Sequence, residues 1–147
     1  MFHNLIEKIS KKYPGLLQFI KFGIVGVVNT GVDWVVFYVL INNFLGDFHA
    51  IAKAISFTVA MLNSYLWNTV WTFKKEYQNV KENKSAVFGK FLAVSLVGWG
   101  LNVLVYAFAA KDLQIEIFNR DLLPLVFASG AAIVWNFFAN KLWTYKK

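Results

Sequence analysis

A single carboxylate, Asp33, stands in the middle of an apolar run from Phe22 to Ile41. An ionised carboxylate at that depth of a bilayer costs about 2.5 to 3.5 kcal/mol on the insertion scale, so it needs a partner. The expected partners are amides at comparable depth in other apolar runs: Asn102, together with Asn63 or Asn136. Two further amides, Asn68 and Asn140, each open the same ending, Asn-x-x-Trp-Thr-aromatic-Lys, which places Thr72 and Thr144 in matching positions. An amide, a hydroxyl and a lysine meeting there can hold an anion at headgroup depth. Lys21, Lys90 and Lys141 supply cations on that side, and Arg120, the one arginine, carries a guanidinium suited to bidentate phosphate contact at an outer mouth. These residue types can hydrogen-bond a hydrophilic group and hold an anion during passage along a polar groove between the two repeats.

Signals for bond chemistry are missing. There is no cysteine, which removes thiolate ligands, disulfides and cysteine nucleophiles. His3 and His49 lack a second ligand at metal spacing, and no nucleophile elbow or phosphate-binding glycine loop occurs. The expectation is no enzyme, no metal and no cofactor.

The elements that must position these groups are membrane helices. Of 147 residues, 58% are apolar and 16% charged, against roughly a quarter charged in soluble chains. Four runs are long enough to span a ~30 Å hydrocarbon core: about 22–41, 51–70, 91–110 and 122–142. They are apolar nearly all round, which a soluble four-helix bundle would not be. The expected fold is therefore an all-α integral membrane protein of four transmembrane helices arranged as two helical hairpins. Lys53, near the start of the second run, is expected to snorkel outward. Gly23, Gly26, Gly31, Gly98 and Gly100 are expected to let backbones approach closely.

The net charge of +7 is sorted rather than spread. Lys8, Lys11, Lys12 and Lys21 precede the first run, Lys74, Lys75, Lys81, Lys84 and Lys90 follow the second, and Lys141, Lys146 and Lys147 end the chain. The opposite side has Lys53, Lys111 and Arg120 beside four acids. The positive-inside rule then makes both termini and the middle loop cytoplasmic, with Trp71, Phe73, Trp143 and Tyr145 in the inner aromatic belt. Charge sorted this way follows a membrane and forms no nucleic-acid reading face. Residues 1–18 read as a cytoplasmic amphipathic segment, with Phe2, Leu5, Ile6 and Ile9 opposite lysines and Pro14-Gly15 ending the pattern. Residues 19–147 form the transmembrane domain.

The chain contains a repeat. Lys21-Phe22 and Gly31-Val32-Asp33 align at an offset of 69 with Lys90-Phe91 and Gly100-Leu101-Asn102, so Asp33 matches Asn102. At an offset of 72, Asn68 to Lys75 aligns with Asn140 to Lys147, and six of the eight pairs are identical or exchange one aromatic ring for another. Each copy is one hairpin entered from the cytoplasm, so the two are read as parallel copies.

Phe19 to Asp33, Asn68 to Phe73, Lys90-Phe91 and Asn136 to Tyr145 together carry a likeness that covers nearly all of Phe19 to Lys147. On these residues the chain resembles the GtrA-like family of small four-helix bacterial membrane proteins. It departs from the pattern at Ser64, where the second copy has Asn136, and at Thr69, where the second copy has Lys141. Members of that family are implicated in glycosylation of surface polysaccharide and teichoic acid. The resemblance implies flipping of an undecaprenyl-phosphate-linked sugar across the plasma membrane of a bacterium. Its partners would be membrane lipid, the glycosyltransferase that loads the lipid in the cytosol, and an outward-facing glycosyltransferase. Lysine in place of arginine points to an AT-rich genome and so to teichoic acid as acceptor. One chain, or a homo-oligomer of two, would suffice. Two other readings fit the same elements: a membrane scaffold for a glycosyltransferase, and a small proton-coupled exporter that loads its cation at Asp33.

Overall fold

The computed structural model describes residues 12–112 and 122–146, all of whose regular structure is helical. Helix α1 spans Pro14–Leu40 and continues through a π turn, Ile41–Leu45. Helix α2 spans His49–Trp67 and ends in the π turn Asn68–Thr72. The short α3, Lys74–Asn79, comes after it. Helix α4 is Lys84–Asp112, and α5 is Leu122–Ala139, which ends in the π turn Asn140–Thr144. Two stretches, Pro14–Leu45 and Lys84–Ala109, are long and apolar enough by length and composition to cross a membrane.

The helices overrun several of the expected limits. Pro14, expected to end a helix, instead occupies the first turn of α1, where its missing N–H costs nothing and its fixed φ favours the helix. Helix α1 therefore begins at Pro14, ahead of the expected apolar run at residue 22. Helix α4 likewise begins at Lys84, before the expected residue 91. Polar residues can extend a helix beyond its apolar stretch because backbone bonding, not hydropathy, sets its ends. Residues 1–11 and 113–121 lie outside the described residues, and with them the amphipathic segment's apolar face and Arg120.

The chain divides into two compact units, Met1–Gln78 and Asn79–Lys147. In the first, the turn between α1 and α2 closes at Gly46, whose φ of 47° is in the left-handed region that suits glycine. Its N–H bonds the Ile41 carbonyl at 3.1 Å. Phe22 and Val25 of α1 are buried, as are Ala52, Ser56 and Ala60, a small residue on every turn of one face of α2. Small side chains at i, i+4 and i+8 bring two helices close enough for dispersion contact, the force that holds helices together when lipid is as apolar as leucine.

The second unit buries the equivalent positions. Phe91 and Val94 replace Phe22 and Val25 at the offset of 69, and Ala128 replaces Ser56 at the offset of 72. A further difference lies higher on the helices. Gly98 meets the Asn136 amide so closely that any Cβ there would overlap it. Gly23, Gly26, Gly31 and Gly100 have nothing within 4 Å of where a Cβ would stand, so their expected role in close approach does not hold among the described residues.

Gly98→Ala must displace Asn136 from its place against α4 and should lower stability in detergent by about 1 to 3 kcal/mol. Gly100→Ala, which meets nothing, should leave stability unchanged or raise it by up to about 1 kcal/mol. Thermal unfolding of the two variants side by side checks both, and equal behaviour would count against the contact.

Candidate functional site

Along the face of α1 that meets α2, residues recur every three or four positions: Gln18, Phe22, Val25, Asn29 and Asp33. Phe22 and Val25 in its middle are apolar and buried, and Asn29 and Asp33 beyond them are polar and bonded across to α2. Asn63 Nδ2 donates to Asn29 Oδ1 at 2.6 Å. Farther along, Asp33 forms an ion pair with Lys53 through Oδ2, while Ser56 Oγ donates to Asp33 Oδ1 at 2.6 Å. Lys53 Nζ also stands 5.9 Å over the Phe37 ring.

These bonds correct two expectations. Asp33 is paired within its own hairpin by Lys53 and Ser56, and Asn63 goes to Asn29 instead. Lys53 does not simply snorkel outward, because a lysine one turn from Ser56 on α2 reaches the carboxylate with a flexible stem. The pair is asymmetric in exposure: the lysine side chain is 55% exposed and the aspartate 17%. Helical spacing could have revealed Asn29, four residues before Asp33. Lys53 and Ser56, three apart on α2, carry no signal of their own until the two helices are put in register.

The π turns make the second part of the site, once in each unit. In the first, Phe73 N–H bonds the Asn68 carbonyl at 2.7 Å, and in the second Tyr145 N–H bonds the Asn140 carbonyl at 2.8 Å. A π turn holds one extra residue and so rotates the residues beyond it by about 100°. In both units the rotated ring, Phe73 or Tyr145, is fully buried. Phe73 meets Phe22 edge to face, with centroids 6.1 Å apart. The tryptophan within each turn stays outside and takes a cation. Lys21 Nζ lies 5.4 Å over the Trp71 ring, and Lys90 Nζ lies 5.5 Å over the Trp143 ring. Lys90 also pairs with Glu82 at 2.5 Å, and Lys141 stands over Phe137 at 5.4 Å.

The polar side chains of these turns are buried and only half satisfied. Asn68 Nδ2 donates to Ser64 Oγ at 3.2 Å, Asn140 Nδ2 to the Asn136 carbonyl at 2.8 Å, and Asn136 Nδ2 to the Ala132 carbonyl at 2.9 Å. The oxygens Oδ1 of Asn68, Asn136 and Asn140 and Oγ1 of Thr72 and Thr144 find no hydrogen-bond partner among the described residues. A buried unpaired polar atom costs about 1 to 3 kcal/mol, and here the same two atoms recur in both copies. Gln18, which nothing in the sequence singles out, ties the first turn down by donating to the Thr72 carbonyl at 3.1 Å and to Glu76 at 2.9 Å.

The expected site residues thus fall into groups. Lys21, Asn68 and Thr72 gather at the π-turn end of the first unit, and Asn63 and Asp33 lie farther from that turn along the same helix pair. Lys90, Asn136, Asn140 and Lys141 belong to the α4–α5 pair of the second. Asn102 is half-buried on α4.

Removing the cation from the Asp33 pair leaves a carboxylate uncompensated inside the hairpin. Lys53→Met should therefore lower stability by about 2 to 3 kcal/mol, and Asp33→Asn added to it should restore most of the loss. Chemical unfolding of the single and double variants measures this coupling. Additive losses would mean that the two side chains do not interact.

Two comparisons place the chain among known proteins. Residues 21–145 match the model of the GtrA/DPMS transmembrane domain. Over 126 residues the chain is 28% identical to the uncharacterized membrane protein YngA of Bacillus subtilis (strain 168), covering 85% of this chain and 77% of that one. The residues that carry both Lys–Trp pairs and both π turns lie inside the matched span. This is a membrane protein, and it belongs to the GtrA/DPMS transmembrane-domain family.

Proposed function

We propose that the chain moves an undecaprenyl-phosphate-linked sugar between the leaflets of a bacterial plasma membrane, for attachment to teichoic acid or another surface polysaccharide. Membership of its family ties it to the handling of polyprenyl-phosphate sugars. The observation that carries the reading is the repeated π-turn end: a lysine over a tryptophan, beside buried amide and hydroxyl oxygens left without a partner among the described residues. The lysine offers a point charge to phosphate, and the indole holds it at the depth where headgroups lie. The orphaned oxygens are acceptors, and sugar hydroxyls or the water around them supply the donors.

In this reading the chain crosses the membrane four times with both termini cytoplasmic. Helices α2 and α5 are short by comparison with α1 and α4, but 19 residues reach about 28 Å before the π turn is added. The Asn29–Asn63 and Asp33–Lys53–Ser56 groups then continue the polar face outward from the first inner site. A hydroxyl passing along it exchanges one hydrogen bond for another, and the neutral ion pair adds no net charge. Most of the lipid tail stays in the bilayer, so the polar face need shield only sugar and phosphate. The chain makes no covalent bond, and its partners are the glycosyltransferases that load the carrier and unload it. Asp33, Asn63, Asn68, Thr72, Asn102, Asn136 and Asn140 serve the hydroxyls, and Lys21, Lys90, Lys141 and Arg120 the phosphate.

The ion pair weighs against an exporter that loads its cation at Asp33, because Lys53 already occupies the carboxylate. Purified protein in liposomes with labelled carrier-linked sugar in one leaflet tests the reading. The wild type should carry label across; none crossing would leave a scaffold. Lys21→Gln combined with Lys90→Gln should slow crossing at least about tenfold, about 1.4 kcal/mol, while Lys74→Gln on the exposed face of α3 should not.

A further inference from the structure

The second unit carries an apolar groove of about 470 Å³ between α4 and α5, a volume in the range of ligand sites. Ala93 and Val97 of α4 face Trp135, Ala139 and Trp143 across it. One indole N–H among these side chains is withdrawn from the groove, since Trp135 Nε1 donates to the Val94 carbonyl at 3.2 Å. The groove therefore has little to offer a sugar, and water gains little there.

Its position is defined by Trp143, which lines it and at the same time carries Lys90 5.5 Å over its ring. A cation at one end of an apolar channel matches an amphiphile with an anionic head and a long apolar tail. The Glu82 carboxylate that pairs with Lys90 is 47% exposed and the lysine 22%, and a pair half open to solvent contributes little to stability. A phosphate can therefore share or replace it.

The copies differ here. At the offsets of the repeat, Ala93 corresponds to Ile24 and Ala139 to Trp67. Two alanines open the groove in one copy, and the equivalent places in the other are taken by an isoleucine and a tryptophan. The first unit has the ion pair and the Asn29–Asn63 bond along its helix contact; the second has Gly98 and this channel.

We infer that the groove of the second unit binds the isoprenoid tail of the carrier lipid, with the carrier phosphate at Lys90 over Trp143. This rests on the translocation reading for the choice of lipid, and it assigns the tail to one copy. A methyl-branched, stiff polyprenyl chain loses less conformational freedom on lying against indole and alanine than a straight acyl chain does, which favours it as occupant.

Full-length protein in nanodiscs, titrated with a C55 polyprenyl phosphate and followed by tryptophan fluorescence and by native mass spectrometry, tests this. Ala139→Trp, which copies the first unit, should weaken binding at least about tenfold without changing binding of inorganic phosphate. Trp67→Ala in the first unit should leave both unchanged. If Ala139→Trp does not fold, Ala93→Ile carries the same expectation. Unchanged C55 affinity in a folded groove variant would overturn the inference, as would equal competition by phosphatidylglycerol, which would make the groove an ordinary acyl-chain site. The two readings fail separately. Groove-dependent binding with no sugar crossing leaflets would remove translocation and keep the site; full crossing with the groove filled would do the reverse.

Discussion

Each half of this molecule depends on a helix turn that is wider than an α turn by one residue. The backbone bond from Phe73 to Asn68, and its counterpart from Tyr145 to Asn140, rotates a ring into the core and leaves the tryptophan two residues before it on the outside. Were either turn to continue as α-helix, the buried ring and the lysine-bearing tryptophan would both leave their places. The arrangement also has a cost. Asparagine and threonine oxygens are taken out of water in a region where the backbone has no donors to spare, and they are left unanswered among the described residues. That the same cost appears at both π turns points to a use for the turn beyond folding.

From this shared base the copies diverge. In the first, the contact between α1 and α2 becomes polar beyond Val25, through Asn29 with Asn63 and Asp33 with Lys53 and Ser56. In the second, the equivalent of Asn29 is Gly98, which brings the Asn136 amide against α4, and the equivalent of Ser56 is Ala128. The repeated hairpin thus yields one helix contact lined by an ion pair and amides and another in which a single amide lies against a glycine.

Much of this is legible in the sequence. The offsets of 69 and 72 are enough to foresee that Lys21 and Lys90, and Trp71 and Trp143, are equivalent, because insertions shift register but keep the order of contacts. Hydropathy reveals that the helices exist but not where they end: Pro14 opens α1, and α4 starts in a lysine-containing stretch, since neither feature is visible to an apolar count. The partner of Asp33 is hidden for a related reason. Depth along a helix is gauged from its apolar run, which makes an amide at similar depth the nearest candidate; the side-chain length of Lys53 and the register of α1 on α2 decide otherwise. Gln18 and the two alanines of the groove have no readable signal, because glutamine at a helix start and alanine in a helix are both ordinary, and their meaning lies in what stands opposite.

The central claim is that Lys21 over Trp71 and Lys90 over Trp143 each hold a lipid phosphate. Reactivity of Lys21 and Lys90 toward an amine-modifying reagent, read residue by residue in membranes with and without polyprenyl phosphate, measures it most directly. Protection of both lysines by the phosphate, and of neither by the uncharged polyprenol, is the predicted result; equal reactivity with the phosphate present or absent would contradict the account.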